Sequence, residues 1–280
     1  MNVVEYARLK KVLGPTAVGT TKYYGTEGLA YTLSSNSRYY ICSGIGTATD
    51  TDIVIGLSYM GLPVREIGAE AFEGNTRIKH VIIPDSVIVI GYDAFSGCAA
   101  LEEIIIPNSV REIGWYAFNG CTALTSATIG HGVSYLSDYV FKGCRNLKTI
   151  TFESNGINLT YMGQGLFNGC RSLDPFVVPL GVTKLLMGTL SANGGTTGGV
   201  TYQGVKSITI PAHVTTLASK AIYSCVNLES VVFEGTPDAI GTGMFSGCSK
   251  LRHILVPWSK GTFADVEAEW EALGATINYL

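Results

Sequence analysis

Seven cysteines and four histidines are the residues of this 280-residue chain whose types could do chemistry. Six cysteines (Cys98, Cys121, Cys144, Cys170, Cys225, Cys248) recur at intervals of 23 residues or more, unlike the close C-x₂-C pairs of a zinc site. Occupying one register, they are expected to be reduced thiols filling a small apolar slot, although adjacent copies come near enough for a disulfide. The histidines (His80, His131, His213, His253) fall in different coils. His80 and His253 share a register but lie about seven coils, roughly 30 Å, apart, too far for a shared metal or dyad, and His131 and His213 sit in the turns after the strands. Asp50 and Asp52 alternate as in a calcium loop but lack the glycine and distal glutamate of an EF-hand. Gly241-Thr-Gly243 lacks the preceding strand and third glycine of a dinucleotide fingerprint. Asn158-Leu-Thr160 is a formal glycosylation sequon. No G-x-S-x-G, P-loop or H-E-x-x-H motif occurs. Neither catalysis, a metal nor a cofactor is expected.

The register that absorbs the cysteines belongs to a repeat. Segments starting at Ile67, Ile90 and Ile113 are each 23 residues long, and the pattern continues from Leu136, Met162, Leu185, Leu217 and Ile240. An apolar residue opens the unit. The sixth position is Phe72, Phe95, Phe118, Phe141, Phe167, Leu190, Ile222 or Phe245, and these predict an interior aromatic ladder on short helical turns. Gly74, Gly97, Gly120, Gly143, Gly169 and Gly247 occupy the eighth position, suited to a turn with positive φ. A leucine or isoleucine follows, then a β-branched triplet such as Ile104-Ile105-Ile106, and in five copies a proline ends the strand (Pro84, Pro107, Pro179, Pro211, Pro257). One such unit buries nothing alone, so a continuous core requires stacking. Eight coils at strand spacing make a rod roughly 40 Å long.

The consensus I-G-x-x-A-F-x-G-C-x-x-L-x-x-I-x-I-P-x-S-V resembles the BspA-like branch of the leucine-rich repeats, over about residues 40–262. That resemblance implies an α/β repeat solenoid, a horseshoe of about eight 23-residue coils, with parallel strands on the concave face and short helical turns on the convex face. Relatives of this kind are surface adhesins or ligand-binding proteins of bacteria, and similar repeats occur in phages and prophages. The domain reading is an N-terminal cap or attachment segment over 1–40, the solenoid over 41–262, and a capping helix and tail over 263–280.

Within the cap, residues 2–13 are expected to form a short helix and Leu29–Leu33 with Tyr39–Cys42 a hairpin. Ile53–Ile55 then reads as an orphan strand that starts the stack. At the other end Thr262-Phe-Ala-Asp265 reads as a capping box, with Phe263, Val266, Trp270 and Leu273 on one lid-forming face. The insertion Asn193–Gly204 reads as a surface loop.

A net charge of −3 and no Lys/Arg cluster give no pull toward nucleic acid. No apolar run approaches the ~20 residues that cross a bilayer, and charges at Glu5, Arg8, Lys10 and Lys11 break up any Sec leader in the opening residues. A cell-surface location by resemblance therefore stands beside a virion-associated or cytoplasmic one. The expected function is non-enzymatic binding of a protein or glycan partner on the outward strand positions. Those are His80, Ile82, Glu103, Ile105, Ser126, Thr128, Thr149, Thr151, Val177 and Val232, joined by Tyr202 from the insertion. The alternative is a structural component whose residues 1–40 dock into an assembly.

Overall fold

The computed structural model describes residues 25–197 and 199–280, with no side-chain description for 196 and 197. The expected helix over 2–13 lies outside the described residues. The rest is a β-solenoid with about 23 residues per turn and few helices.

A regular coil runs through a long strand, a tight turn, a short strand and a wide turn. The long strands are Asp52–Val54, His80–Ile82, Glu103–Ile106, Ser126–Ile129, Thr149–Phe152, Ser207–Ile210, Ser230–Phe233, His253–Val256 and Thr276–Tyr279. They pair in parallel with residue matched to residue: Ala127 faces both Ile104 and Ile150, and Val231 faces both Ile208 and Ile254. The strand at Ile53 starts the long-strand stack, Asp52–Val54 pairing with His80–Ile82. Ahead of it, Ala30–Leu33 and Tyr40–Gly44 form the antiparallel hairpin, and the second of these joins the short-strand ladder through Leu62–Ile67. Inward residues of the long strands, such as Ile104, Ile106, Val231 and Phe233, are buried.

The wide turns differ from the expected helical turns. Their N–H groups donate to the neighbouring coil: Phe72 to the Ala94 carbonyl at 2.8 Å, Gly74 to Ser96 at 2.7 Å, Phe95 to Ala117 at 2.8 Å and Phe118 to Val140 at 2.9 Å. An N–H committed to the next coil is not free for the i−4 carbonyl of its own chain, so no α-helix forms. The fourth position of the repeat is left-handed in every copy, even where it is not glycine: Glu70, Asp93, Tyr116, Tyr139 and Lys220 all have φ between 50° and 61°. The expected left-handed glycines follow at the eighth position, for example Gly97 at 71° and Gly120 at 69°.

The aromatic ladder is present. Phe72, Phe95, Phe118, Phe141 and Phe167 stack with centroids 5.1, 5.2, 5.5 and 6.0 Å apart, all essentially unexposed. It ends where Leu190 and Ile222 replace phenylalanine. The long-strand ladder breaks in the same region, at residues 174–178. Pro175 and Pro179 bracket Phe176-Val-Val and bring no N–H to the ladder.

The C-terminal segment completes a further coil. Thr276–Tyr279 pairs with His253–Val256 at an offset of 23 residues, and a helix, α1 (Ala264–Ala272), takes the place of the wide turn. The capping box does not form. The residue preceding the helix is Phe263, no side chain caps it, and the Thr262 hydroxyl donates instead to the Ser259 carbonyl at 2.6 Å. Val266 and Trp270 are buried, with the Trp270 ring against Phe233 and Phe245, but Leu273 faces outward.

Candidate functional site

Consider first the residues that could do chemistry. All seven cysteines are free and buried. Their register has a purpose beyond filling space: Cys98, Cys121, Cys144 and Cys170 each donate the thiol to the carbonyl of the phenylalanine in the preceding coil, at 3.1–3.2 Å. A small apolar side chain with one weak donor suits a slot facing a buried carbonyl. Burial pushes the Cys42 and Cys98 thiols up to about 12 and raises Cys121 and Cys170 as well, away from the reactive thiolate.

Two copies place asparagine in the cysteine register. In the first, the Asn75 side chain accepts from the Arg77 and Ile78 N–H groups. In the other, buried Asn193 donates to the Cys170 carbonyl at 2.6 Å and accepts from Val205 at 2.7 Å. It therefore ties both ends of the insertion to the core. The insertion is a β-hairpin, Gly195–Thr197 against Val200–Tyr202, and not an unstructured loop.

The histidines stay apart. His80 Nδ1 lies 2.6 Å from an Asp52 oxygen, with Glu102 at 3.8 Å from Nε2. His131 lies 3.7 Å from Glu153, and His213 contacts the Pro179 carbonyl at 3.1 Å. Among the described residues no group of three His, Cys, Asp or Glu side chains could hold a metal ion.

The outward strand positions follow one another along three sheets, with two residues turned inward and two interruptions. Parallel pairing sets Glu103, Ser126 and Thr149 in one row and Ile105, Thr128 and Thr151 in the next, partly or fully exposed. His80 lies one coil earlier, half-buried, in a separate two-stranded sheet with Asp52–Val54. Val232 stands in a third sheet, opposite Thr209 and Leu255. Val177 is exposed but belongs to the strandless coil between the Glu103–Phe152 and Ser207–Tyr279 sheets, so the strip is not continuous. Ile82 and Tyr202 are buried, at 6% and 7% exposure, and neither side chain is offered to a partner. Tyr202 folds inward because its hairpin closes on the core through Asn193 and Asn227, whose amide donates to the Tyr202 and Gln203 carbonyls.

A second set of outward residues had no place in the sequence reading. On the wide turns Tyr92 and Trp115 are 51% and 60% exposed. Beside them Tyr116 and Tyr139 stack at 5.0 Å, with the Lys142 ammonium 5.7 and 5.2 Å from the two rings. Tyr135 and Tyr161 stack at 4.4 Å on the short strands. The usable signal was a run of aromatics at the third and fourth repeat positions, where a polar residue serves the fold equally well.

Residues 65–193 and 201–265 match the model of the BspA type leucine rich repeat region, in six copies. The chain is similar in fold to a leucine-rich repeat protein of Treponema pallidum, at 23% identity and a TM-score of 0.59, covering 92% of this chain and 100% of that one. It is also similar to a leucine-rich repeat protein of Bacteroides ovatus, at 24% identity and a TM-score of 0.53, covering 91% and 76%. No curated protein matches the sequence.

Proposed function

Because the chain belongs to the BspA-type leucine-rich repeat family, we propose that it is a non-enzymatic adhesion or ligand-binding protein that presents its long-strand strip to a protein or glycan partner. The observation that carries this reading is the strip itself. Glu103, Ser126, Thr149, Ile105, Thr128 and Thr151 lie in register on a fully paired three-stranded sheet. Their backbone is held by ladder hydrogen bonds on a packed core, so little ordering entropy is left to lose on association. Small hydroxyl and aliphatic side chains leave the surface flat, and repeat proteins use extended surfaces of this kind.

The test is an array of purified proteins and glycans probed with the full chain and with a Thr128→Arg/Thr151→Arg variant. Both threonines point outward, so the variant is expected to keep its thermal midpoint and lose at least tenfold in affinity for whatever the parent binds. Unchanged binding by a folded variant removes the strip from the function.

A further inference from the structure

The fourth repeat position runs along the wide turns as Glu70, Asp93, Tyr116, Tyr139, Gly165, Gly188, Lys220 and Gly243. Side chains here lean toward the next coil. Tyr139 lies over Gly165, where an added β-carbon would collide with its ring, and the Lys220 methylenes run over Gly243. Two successive glycines therefore end the tyrosine stack with an open place: the coil at Gly188 has no ring above it, and its nearest non-adjacent atoms are the Gly165 backbone and the Ser191 hydroxyl. The result is a half-open cavity of about 280 Å³ with Tyr139 on one side, Gly165 and Gly188 as floor, and Asn168, Lys220 and Tyr223 around the rim. It lies near the low end of the ~300–1,000 Å³ of small-molecule sites.

We propose that this cavity binds an acidic oligosaccharide, with one pyranose ring against Tyr139 and the carboxylate of a following sugar toward Lys220, whose side chain extends over the next coil at Gly243. The Tyr139 ring is pre-positioned by Tyr116 behind it and supplies a flat apolar face. Around that face the side chains of Asn168, Lys220 and Tyr223 make no hydrogen bond or ion pair to another described residue, so their donors are free for a ligand. A sugar matches both halves, having a C–H face and a ring of hydroxyls. An aromatic peptide side chain would use the tyrosine face and leave the polar rim unused. Lys220 is the one charged side chain lining the cavity, with Lys142 at the edge of the stack, so a negative ligand is favoured over a neutral or cationic one.

An array of oligosaccharides containing galacturonic, glucuronic or sialic acid, each beside its methyl ester, tests this with the full chain. Binding to one or more of the acids is expected, at least tenfold weaker to the corresponding ester. Tyr139→Ala removes the platform, and Gly188→Asn fills the floor with a residue that tolerates the left-handed backbone; each is expected to lose at least tenfold. Lys220→Gln is expected to abolish the preference for acid over ester. Thermal midpoints identify any variant that fails to fold, and the remaining variants then decide. No binding to any acid, or binding that Tyr139→Ala and Gly188→Asn retain, overturns the proposal. The Thr128→Arg/Thr151→Arg variant alters the strand strip only and should bind these sugars as the parent does, so the two sites fail or succeed separately.

Discussion

A carboxylate taken out of water persists only if donors replace its hydration, and Glu267 satisfies that condition in the last coil. Its side chain is 4% exposed and accepts from Trp258 Nε1 at 3.1 Å, Gly261 N at 2.8 Å, Phe263 N at 3.3 Å and the Tyr279 hydroxyl at 3.0 Å. Burial alone would raise its pKa, but the backbone donors of Gly261 and Phe263, with Tyr279 and Trp258, hold it below the ordinary carboxylate value. A depressed folded pKa means that this stabilisation is full above the unfolded value of about 4.3 and disappears as pH falls through the folded one. Glu267→Gln keeps the shape but turns an amide N–H₂ toward donors, and is expected to lower stability by roughly 2–3 kcal/mol at neutral pH. Urea titrations of both proteins at pH 7 and pH 3 check this: the difference should shrink at pH 3, and an equal difference at both would reject the role of the charge. The cysteines make a separate residue-scale prediction. With their thiols buried and the assigned shifts upward at Cys42, Cys98, Cys121 and Cys170, these four should resist an aromatic disulfide reagent at pH 8 until the chain unfolds. Rapid labelling of any of them in the native protein would contradict the packing.

The element that repeats is the coil, and its two recurrent glycine positions meet different constraints. At the eighth position a β-carbon on Gly97 would lie 3.4 Å from Gly74, ordinary contact, so Gly97→Ala meets chiefly the left-handed backbone, about 1–2 kcal/mol. At the second position a β-carbon on Gly114 would stand 2.5 Å from the Tyr92 nitrogen and 2.7 Å from the Gly91 carbonyl carbon. Only movement of one coil away from the next relieves that. Gly114→Ala is therefore expected to cost about 3 kcal/mol or more, beyond the usual overpacking penalty. Parallel denaturant titrations decide, and equal effects would place the constraint in φ alone. Spacing and residue type made the coil legible in sequence: Gly97, Phe95 and Cys98 stand where the repeat puts them. What spacing could not show was hydrogen-bond direction. The wide turns resemble helical turns in sequence, yet their N–H groups go to the next coil, and nothing about Glu70 or Tyr116 announces a left-handed backbone. The C-terminal strand escaped notice because Thr276-Ile-Asn-Tyr279 lacks the proline and leucine landmarks, although it keeps the 23-residue offset. The tyrosine platform was hidden for a related reason. Gly165 and Gly188 look like two more turn glycines until Tyr139 is seen to lie over the first.

At the scale of the molecule, a solenoid is held by nearest-neighbour interfaces, so its stability need not be uniform along the axis. Its phenylalanine stack, its long-strand ladder and its short-strand ladder all break in the same region. The phenylalanine stack ends at Phe167, and the long-strand ladder is absent over 174–178, leaving the Thr149–Phe152 and Ser207–Ile210 strands in separate sheets. The insertion adds a hairpin there, anchored through the amides of Asn193 and Asn227. The short-strand ladder also stops there, at Tyr161–Met162, with Lys184–Leu185 and Thr216–Leu217 in a separate sheet, so the strand pairing that bridges the gap is the wide-turn ladder of Phe167–Asn168, Leu190–Ser191 and Ile222–Tyr223. The chain is thus expected to behave as two cooperative blocks, roughly 40–168 and 206–279, joined by a weaker segment. Hydrogen exchange followed by mass spectrometry should show amides of 171–205 exchanging well before the strands at 103–129 and 230–256. Asn193→Ala, which strands the Cys170 carbonyl and the Val205 N–H, should widen that difference without altering protection of the first block. Uniform exchange along the axis would mean that the wide-turn ladder alone couples the halves. That result would also bear on the cavity at Gly165 and Gly188, which spans this junction. A ligand held between Tyr139 and Lys220 would contact both blocks and should slow exchange in the segment joining them.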